Sequence, residues 1–342
     1  MAFETQRLAV AAAASHVKTD LKRDISAVFA AASLLIALLY LSECVLWLLR
    51  ELASPAASAV SRVFACDYES ALASYRSFIS SDVFLASLEL VCYAVGMILP
   101  FLLIKRFASA KPRSWFPLAP RMPQKAFSFF AFASGLTLGV NFLCTLLFER
   151  FYPNVSSSAP AGPVSRFVLV LMMVLLAPVA EELIFRGAVY GTLARYSQPF
   201  AIFVSALAFA LAHRNPPQVI NAFVLGVFLA LAYAKTGSIA PCVFIHVINN
   251  SFSVMVQYYS AYHPRGLFII LTAIGVLALG VFTAARLIVA AAKRRLILTL
   301  YDDTSTALPR LDKKSLTSAL ALNAFFWAFI AITAAGVWVL YE

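Results

Sequence analysis

The sequence predicts an all-α fold, a polytopic transmembrane helical bundle of about eight or nine spans, and three observations lead there. Of the 342 residues, 62% are hydrophobic and 13% charged, whereas a soluble domain is about half apolar and roughly a quarter charged. The apolar residues gather in long runs, several exceeding the roughly 18 residues that mark a membrane-spanning helix. Lys and Arg fall in the short stretches between runs rather than along one amphipathic face, which is the distribution that orients membrane proteins. The net charge of +11 therefore does not point to nucleic acid, and the expected partner is the lipid bilayer.

Taken in order, residues 1–24 end in Lys18, Lys22, Arg23 and Asp24 and lack the apolar core of a signal peptide. They read as a cytosolic N-terminal lead-in. Apolar runs follow at about 25–49, 83–104, 126–148, 166–193, 200–213, 219–234, 238–258, 267–292 and 317–341. Two of these, 200–213 and 219–234, are short and separated only by Arg214-Asn215-Pro216-Pro217-Gln218, so the count is eight or nine. Residues 25–342 thus form a single membrane domain, with the motif-bearing core at about 165–258. The stretch 105–125 carries six basic residues and no acid, and 293–314 carries six against three aspartates, so both are expected on the cytoplasmic side. The loop 50–82 mixes both signs. Alternation then puts the N-terminus in the cytoplasm and Glu342 outside, in a multi-pass protein expected in a bacterial plasma membrane. In a eukaryote, Asn154-Val155-Ser156 would be a glycosylation acceptor. The cysteines Cys44, Cys66, Cys92, Cys144 and Cys242 have neither metal-knuckle nor redox spacing.

Ionisable side chains at membrane depth cost about 2.5–3.5 kcal/mol each even on lenient scales, and they mark function when they cluster. Three clusters stand out, each on a different predicted helix: Glu181-Glu182-Leu183-Ile184-Phe185-Arg186, Phe209-Ala210-Leu211-Ala212-His213, and His246-Val247-Ile248-Asn249-Asn250. Glu182 and Arg186 are four apart, with the acid first, which is the favourable order for an ion pair on one helix face. Glu181 is turned about 100° away. Glu182 is therefore expected to be neutralised by Arg186, and Glu181 to be left for general-base work. Without chemistry, Glu-Glu-Arg would be a buried clamp between helices. His213 and His246 each fall inside an apolar run, where a lone histidine is often a hydrogen-bonded packing residue. Counted from the cytoplasmic ends of their spans, Glu181, His213 and His246 lie at roughly 12–20 Å depth, one common layer. His246 and Asn250 are four apart, so imidazole and amide could both donate to one oxyanion. Ser238 and Pro241 supply an N-cap and a first-turn proline for this helix. Glu43 and Glu89 lie toward the outer ends of their spans and read as interfacial or paired.

The set Glu181-Glu182-x-x-x-Arg186, Phe209-x-x-x-His213 and His246-x-x-x-Asn250, in this order, resembles the CAAX prenyl protease 2 and bacteriocin-processing (abortive-infection) family of intramembrane glutamic proteases. The resemblance covers about residues 165–258. It implies a CAAX-protease-like peptidase in which Glu181 activates water with help from His213, while His246 and Asn250 stabilise the oxyanion. By the same resemblance Glu182 and Arg186 orient the site and Phe209 packs before His213. The implied substrate is a peptide or membrane-associated protein cut near the cytoplasmic membrane face. No cofactor is expected, with zinc held by Glu181, His213 and His246 as the second choice. Two other classes remain at this stage: a non-catalytic scaffold or regulator binding a partner helix, and a secondary transporter, whose broken helices and buried carboxylates are similar.

Overall fold

The structure, a computed structural model, describes residues 2–109, 134–144, 147, 162–213, 216–262, 267–292 and 311–341. Every regular element among them is helical. Helix α1 (Ala2–Leu39) is followed by α2 (Leu41–Glu51) after a single turn residue, Tyr40. Val17, Leu21, Ile25, Val28, Ala32 and Leu35 are all buried, a stripe at three- and four-residue spacing that crosses residue 24 without a break. The lead-in and the first span are thus one helix. The buried carboxylate of Asp24 accepts hydrogen bonds from Ser109 N at 2.6 Å, Ser109 Oγ at 2.9 Å and Tyr196 Oη at 2.8 Å. Arg195 lies 3.2 Å from Asp20 and 3.9 Å from Asp24. A buried carboxylate is tolerated only when satisfied in this way, and here it ties α1 to Ser109 and to the turn that carries Arg195 and Tyr196.

The stretch read from charge alone as a loop, 50–82, contains a helical hairpin, α3 (Ala53–Phe64) and α4 (Tyr68–Ile79), closed on Ala53, Ala57, Ala71 and Leu72. Ala65 turns the chain at φ 49°, and Asp67 caps α4 by accepting from Ser70 N at 2.9 Å. Helix α5 (Asp82–Phe107) begins beside the first turn of α7 (Pro163–Leu193). There the Asp82 carboxylate accepts from Val164 N at 2.7 Å, from Ser165 N at 3.0 Å and from the Ser165 hydroxyl. The two helices therefore start together and run in parallel.

The remaining helices are α6 (Ser134–Cys144), α7 (Pro163–Leu193), α8 (Gln198–Leu211), α9 (Pro216–Thr236), α10 (Ala240–Tyr262), α11 (Leu267–Ala292), α12 (Lys313–Ala321) and α13 (Ala324–Tyr341). Among the described residues four helices are long and apolar enough to cross a membrane, or five if the pair α12 and α13, bent by 56°, is one span. Each of the other expected runs coincides with a shorter described apolar helix. Residues 110–133, 148–161, 214–215 and 293–310, with most of both basic loops and Asn154, lie outside the described residues. The core is built where α1 packs on α5 and α13, and where α8 packs on α9 and α7.

Candidate active site

Helix α7 leaves the α-helical register twice, in π turns over Met172–Leu176 and Leu183–Tyr190, with the α-helical stretch Ala177–Glu182 between them. Such turns are rare and concentrate at functional sites. In the first, Ala177 N–H reaches back five residues to Met172 O. The next donor in that register would be residue 178, a proline without an N–H, which leaves the Met173 carbonyl short of its helical partner. Asn250 supplies one from α10: its Nδ2 donates to Met173 O at 2.9 Å. In the second turn, Ser205 Oγ on α8 donates to Phe185 O at 2.7 Å.

Between the two turns the adjacent glutamates diverge. Glu182 is fully buried, and its Oε2 stands 3.0 Å from Arg186 Nε, itself fully buried. Arg186 Nη2 donates to the carbonyl of Gly226 on α9 at 3.3 Å, and its guanidinium lies 4.5 Å over the Phe209 ring. Gly226 leaves little room for a side chain at this approach. A Cβ on Gly226 would meet Ala206 Cα at 3.0 Å and Phe209 Cδ1 at 3.2 Å. Glu181 keeps 18% side-chain exposure against 0% for Glu182, so one carboxylate is sealed and its neighbour remains approachable.

His246 joins the two. Its Nδ1 is 2.9 Å from Glu182 Oε1, and a carboxylate already held by a guanidinium can only accept, so Nδ1–H donates there. That bond aims Nε2 at Glu181 Oε2, 3.7 Å away. The ring sits six residues into α10, whose start is set by Gly237 at φ 60° and by Ser238 Oγ accepting from Ala240 N at 3.3 Å. On α8, the Phe209 ring packs edge-on against both imidazoles, at 4.9 Å from His213 and 5.5 Å from His246. His213 Nδ1 is 2.9 Å from Phe209 O, which leaves Nε2 as the ring nitrogen turned from its own helix.

The structure thus brings Glu181, Glu182, Arg186, Phe209 and His246 into one contact network. His213 joins it through Phe209, and Asn250 is anchored one turn away on Met173. Sequence reasoning missed Pro178, Gly226 and Ser205. Pro178 carried a signal, an internal helix proline, while Gly226 and Ser205 carried none. Glu43 and Glu89 stand within electrostatic reach of each other on α2 and α5. Among the described residues no group of three His, Cys, Asp or Glu side chains is arranged to hold a metal ion.

Residues 163–252 match a family model described as type II CAAX prenyl endopeptidase Rce1-like. All three motifs fall inside that segment. The chain is similar to the membrane-embedded CAAX protease MroQ of Staphylococcus aureus (strain USA300), 31% identical over 97 residues, which cover 26% of this chain and 39% of that protein. It is also similar to the putative membrane peptidase YdiL of Bacillus subtilis (strain 168), 28% identical over 91 residues, covering 26% of this chain and 37% of that one. The chain spans about two fifths of the length of these curated relatives. No solved structure gives a significant match.

Proposed function

We propose, with the Rce1-like match over residues 163–252 as premise, that this chain is an intramembrane endopeptidase. It hydrolyses a peptide bond of a membrane-associated substrate near the cytoplasmic face. The observation that carries the reading is the His246 ring, donating from Nδ1 to the sealed Glu182 and presenting Nε2 to the open Glu181. This is how a general base and its orienting group are built, with the orienter itself held by a third partner.

In this reading Glu181 takes a proton from a water positioned with His213, and the water oxygen attacks the scissile carbonyl carbon. The carbonyl π electrons move to oxygen, where the second N–H of the Asn250 amide donates together with His246, whose ring must carry a proton on Nε2 as well as on Nδ1 to do so. As the tetrahedral centre collapses, the C–N bond breaks and the amide nitrogen takes the proton from Glu181. Glu182 and Arg186 do no chemistry; they fix the direction of His246. The chemistry is proposed to be metal-free, so a saturating chelator should leave activity unchanged. A CAAX-type C-terminal peptide is the first substrate class to try, since both the family description and MroQ's name carry it.

The test compares the termini of membrane-associated peptides in cells making wild-type or Glu181→Gln protein at equal folded levels. Peptides that lose a terminal fragment only with wild type support a protease. If Glu181→Gln processes the same peptides at the wild-type rate, the mechanism is wrong. If no peptide changes while a cellular phenotype survives in Glu181→Gln, a scaffold is the better reading.

A further inference from the structure

Both donors given to the oxyanion have other commitments. The Nδ1–H of His246 is spent on Glu182, its Nε2 faces Glu181, and Asn250 is anchored on Met173 O. One further hydroxyl in the neighbourhood has no such commitment. Tyr93, on α5, packs against the core that contains Phe185 and Phe209. Its Oη is buried with no hydrogen-bond partner among the described residues, and it is close enough to Glu181 to interact with the carboxylate's charge. Leaving a buried hydroxyl without a partner costs about 1–3 kcal/mol, and a leucine or phenylalanine would fill the position without that cost. Arg186 also carries an unpartnered nitrogen, Nη1, but that guanidinium is already committed to Glu182 and to the Gly226 carbonyl.

We propose that Tyr93 is a further catalytic residue of this site, its hydroxyl donating to the oxyanion that forms when the Glu181-activated water attacks. The step rests on the peptidase reading above. In this arrangement the substrate carbonyl lies between the two groups, with the water between Glu181 and the carbonyl carbon and the carbonyl oxygen pointing away from that water toward Tyr93. Tyr93 and Glu181 are then necessarily beyond direct hydrogen-bond reach of each other. Tyr93 keeps its proton throughout: the O–H only shortens its hydrogen bond as charge grows on the oxygen.

The experiment follows processing in membranes containing the full-length chain as wild type, Glu181→Gln or Tyr93→Phe, using the peptides whose cleavage separates the first two. Removing one oxyanion donor lowers turnover by roughly 100- to 1,000-fold, so Tyr93→Phe should cut kcat by about that factor, with KM little changed and the thermal midpoint equal to wild type or higher. Tyr93→Phe turnover within about threefold of wild type, with Glu181→Gln inactive, overturns the role of Tyr93 and leaves the peptidase reading standing. A parallel fall of activity and thermal midpoint overturns it too, because it makes the hydroxyl structural. Equal processing by all three proteins removes the peptidase reading and Tyr93's role together.

Discussion

Replacing Glu182 with glutamine keeps the side chain's shape and removes its charge, which isolates what that charge does. Glu182 and Arg186 are both fully buried and 3.0 Å apart. Taking away one member of such a pair leaves the other charge uncompensated at a fully buried position, at a cost of roughly 3–5 kcal/mol. The glutamine makes matters worse on its other side. His246 Nδ1–H needs an acceptor at 2.9 Å, and an amide can offer its oxygen to the histidine or to Arg186, with its NH2 then facing the remaining donor. At about 2–4 °C per kcal/mol, the thermal midpoint of purified Glu182→Gln protein in detergent should fall on the order of 10 °C. Activity should be lost as well, because His246 is no longer aimed. Glu181→Gln is the contrast. Glu181 retains exposure and its charged contact is at 3.7 Å, so its amide variant should melt within about 1 kcal/mol of wild type while losing activity. The reasoning is refuted if the two variants melt alike, or if Glu181→Gln is the less stable.

Three further variants probe the supports of the site. Asn250→Ala strips the Met173 carbonyl of its side-chain donor and should cost about 1–3 kcal/mol, read as a lowered midpoint. Adding Pro178→Ala should recover part of that loss, and strict additivity would count against the pairing. Gly226→Ala should cost about 1–3 kcal/mol by overpacking α8 against α9, and activity should drop with it, because the same carbonyl holds Arg186; an unchanged midpoint would show that α9 yields freely. Asp24→Ala leaves Ser109 and Tyr196 without their acceptor and should cost about 1–3 kcal/mol, with faster hydrogen exchange in α1 near residue 24 than in α10.

Much of this is legible in the sequence, for reasons that differ from residue to residue. The pairing of Glu182 with Arg186 is a property of a single helix, where i and i+4 share a face, and the stacking of Phe209 on His213 follows from the same spacing carried into the turn after α8. The apolar runs are legible because the bilayer requires about 20 apolar residues per helical crossing. The opaque features depend on register or on partners far along the chain. No local pattern marks a π turn, so the meeting of Asn250 with Met173, 77 residues apart, had no signal. For the same reason spacing led to His246 and Asn250 as two similar donors side by side, whereas one binds a carboxylate and the other a main-chain carbonyl. Asp24 looked like the end of a polar tail because its donors, Ser109 and Tyr196, come from elsewhere in the chain.

Pro178 also has a consequence for how the chain is made. A lipid-embedded helix satisfies its own backbone, but α7 cannot do so at Met173, and its missing donor is synthesised 77 residues later. At about 5–20 residues per second, roughly 4–15 s separate the two. Through that interval α7 waits in the translocation machinery or the bilayer with a polar notch at membrane depth. The notch disfavours a fully lipid-exposed resting place, so α7 is held where a later helix can still reach it. Assembly of the site thereby acquires an order in time, with the glutamates entering first and α10 closing over them.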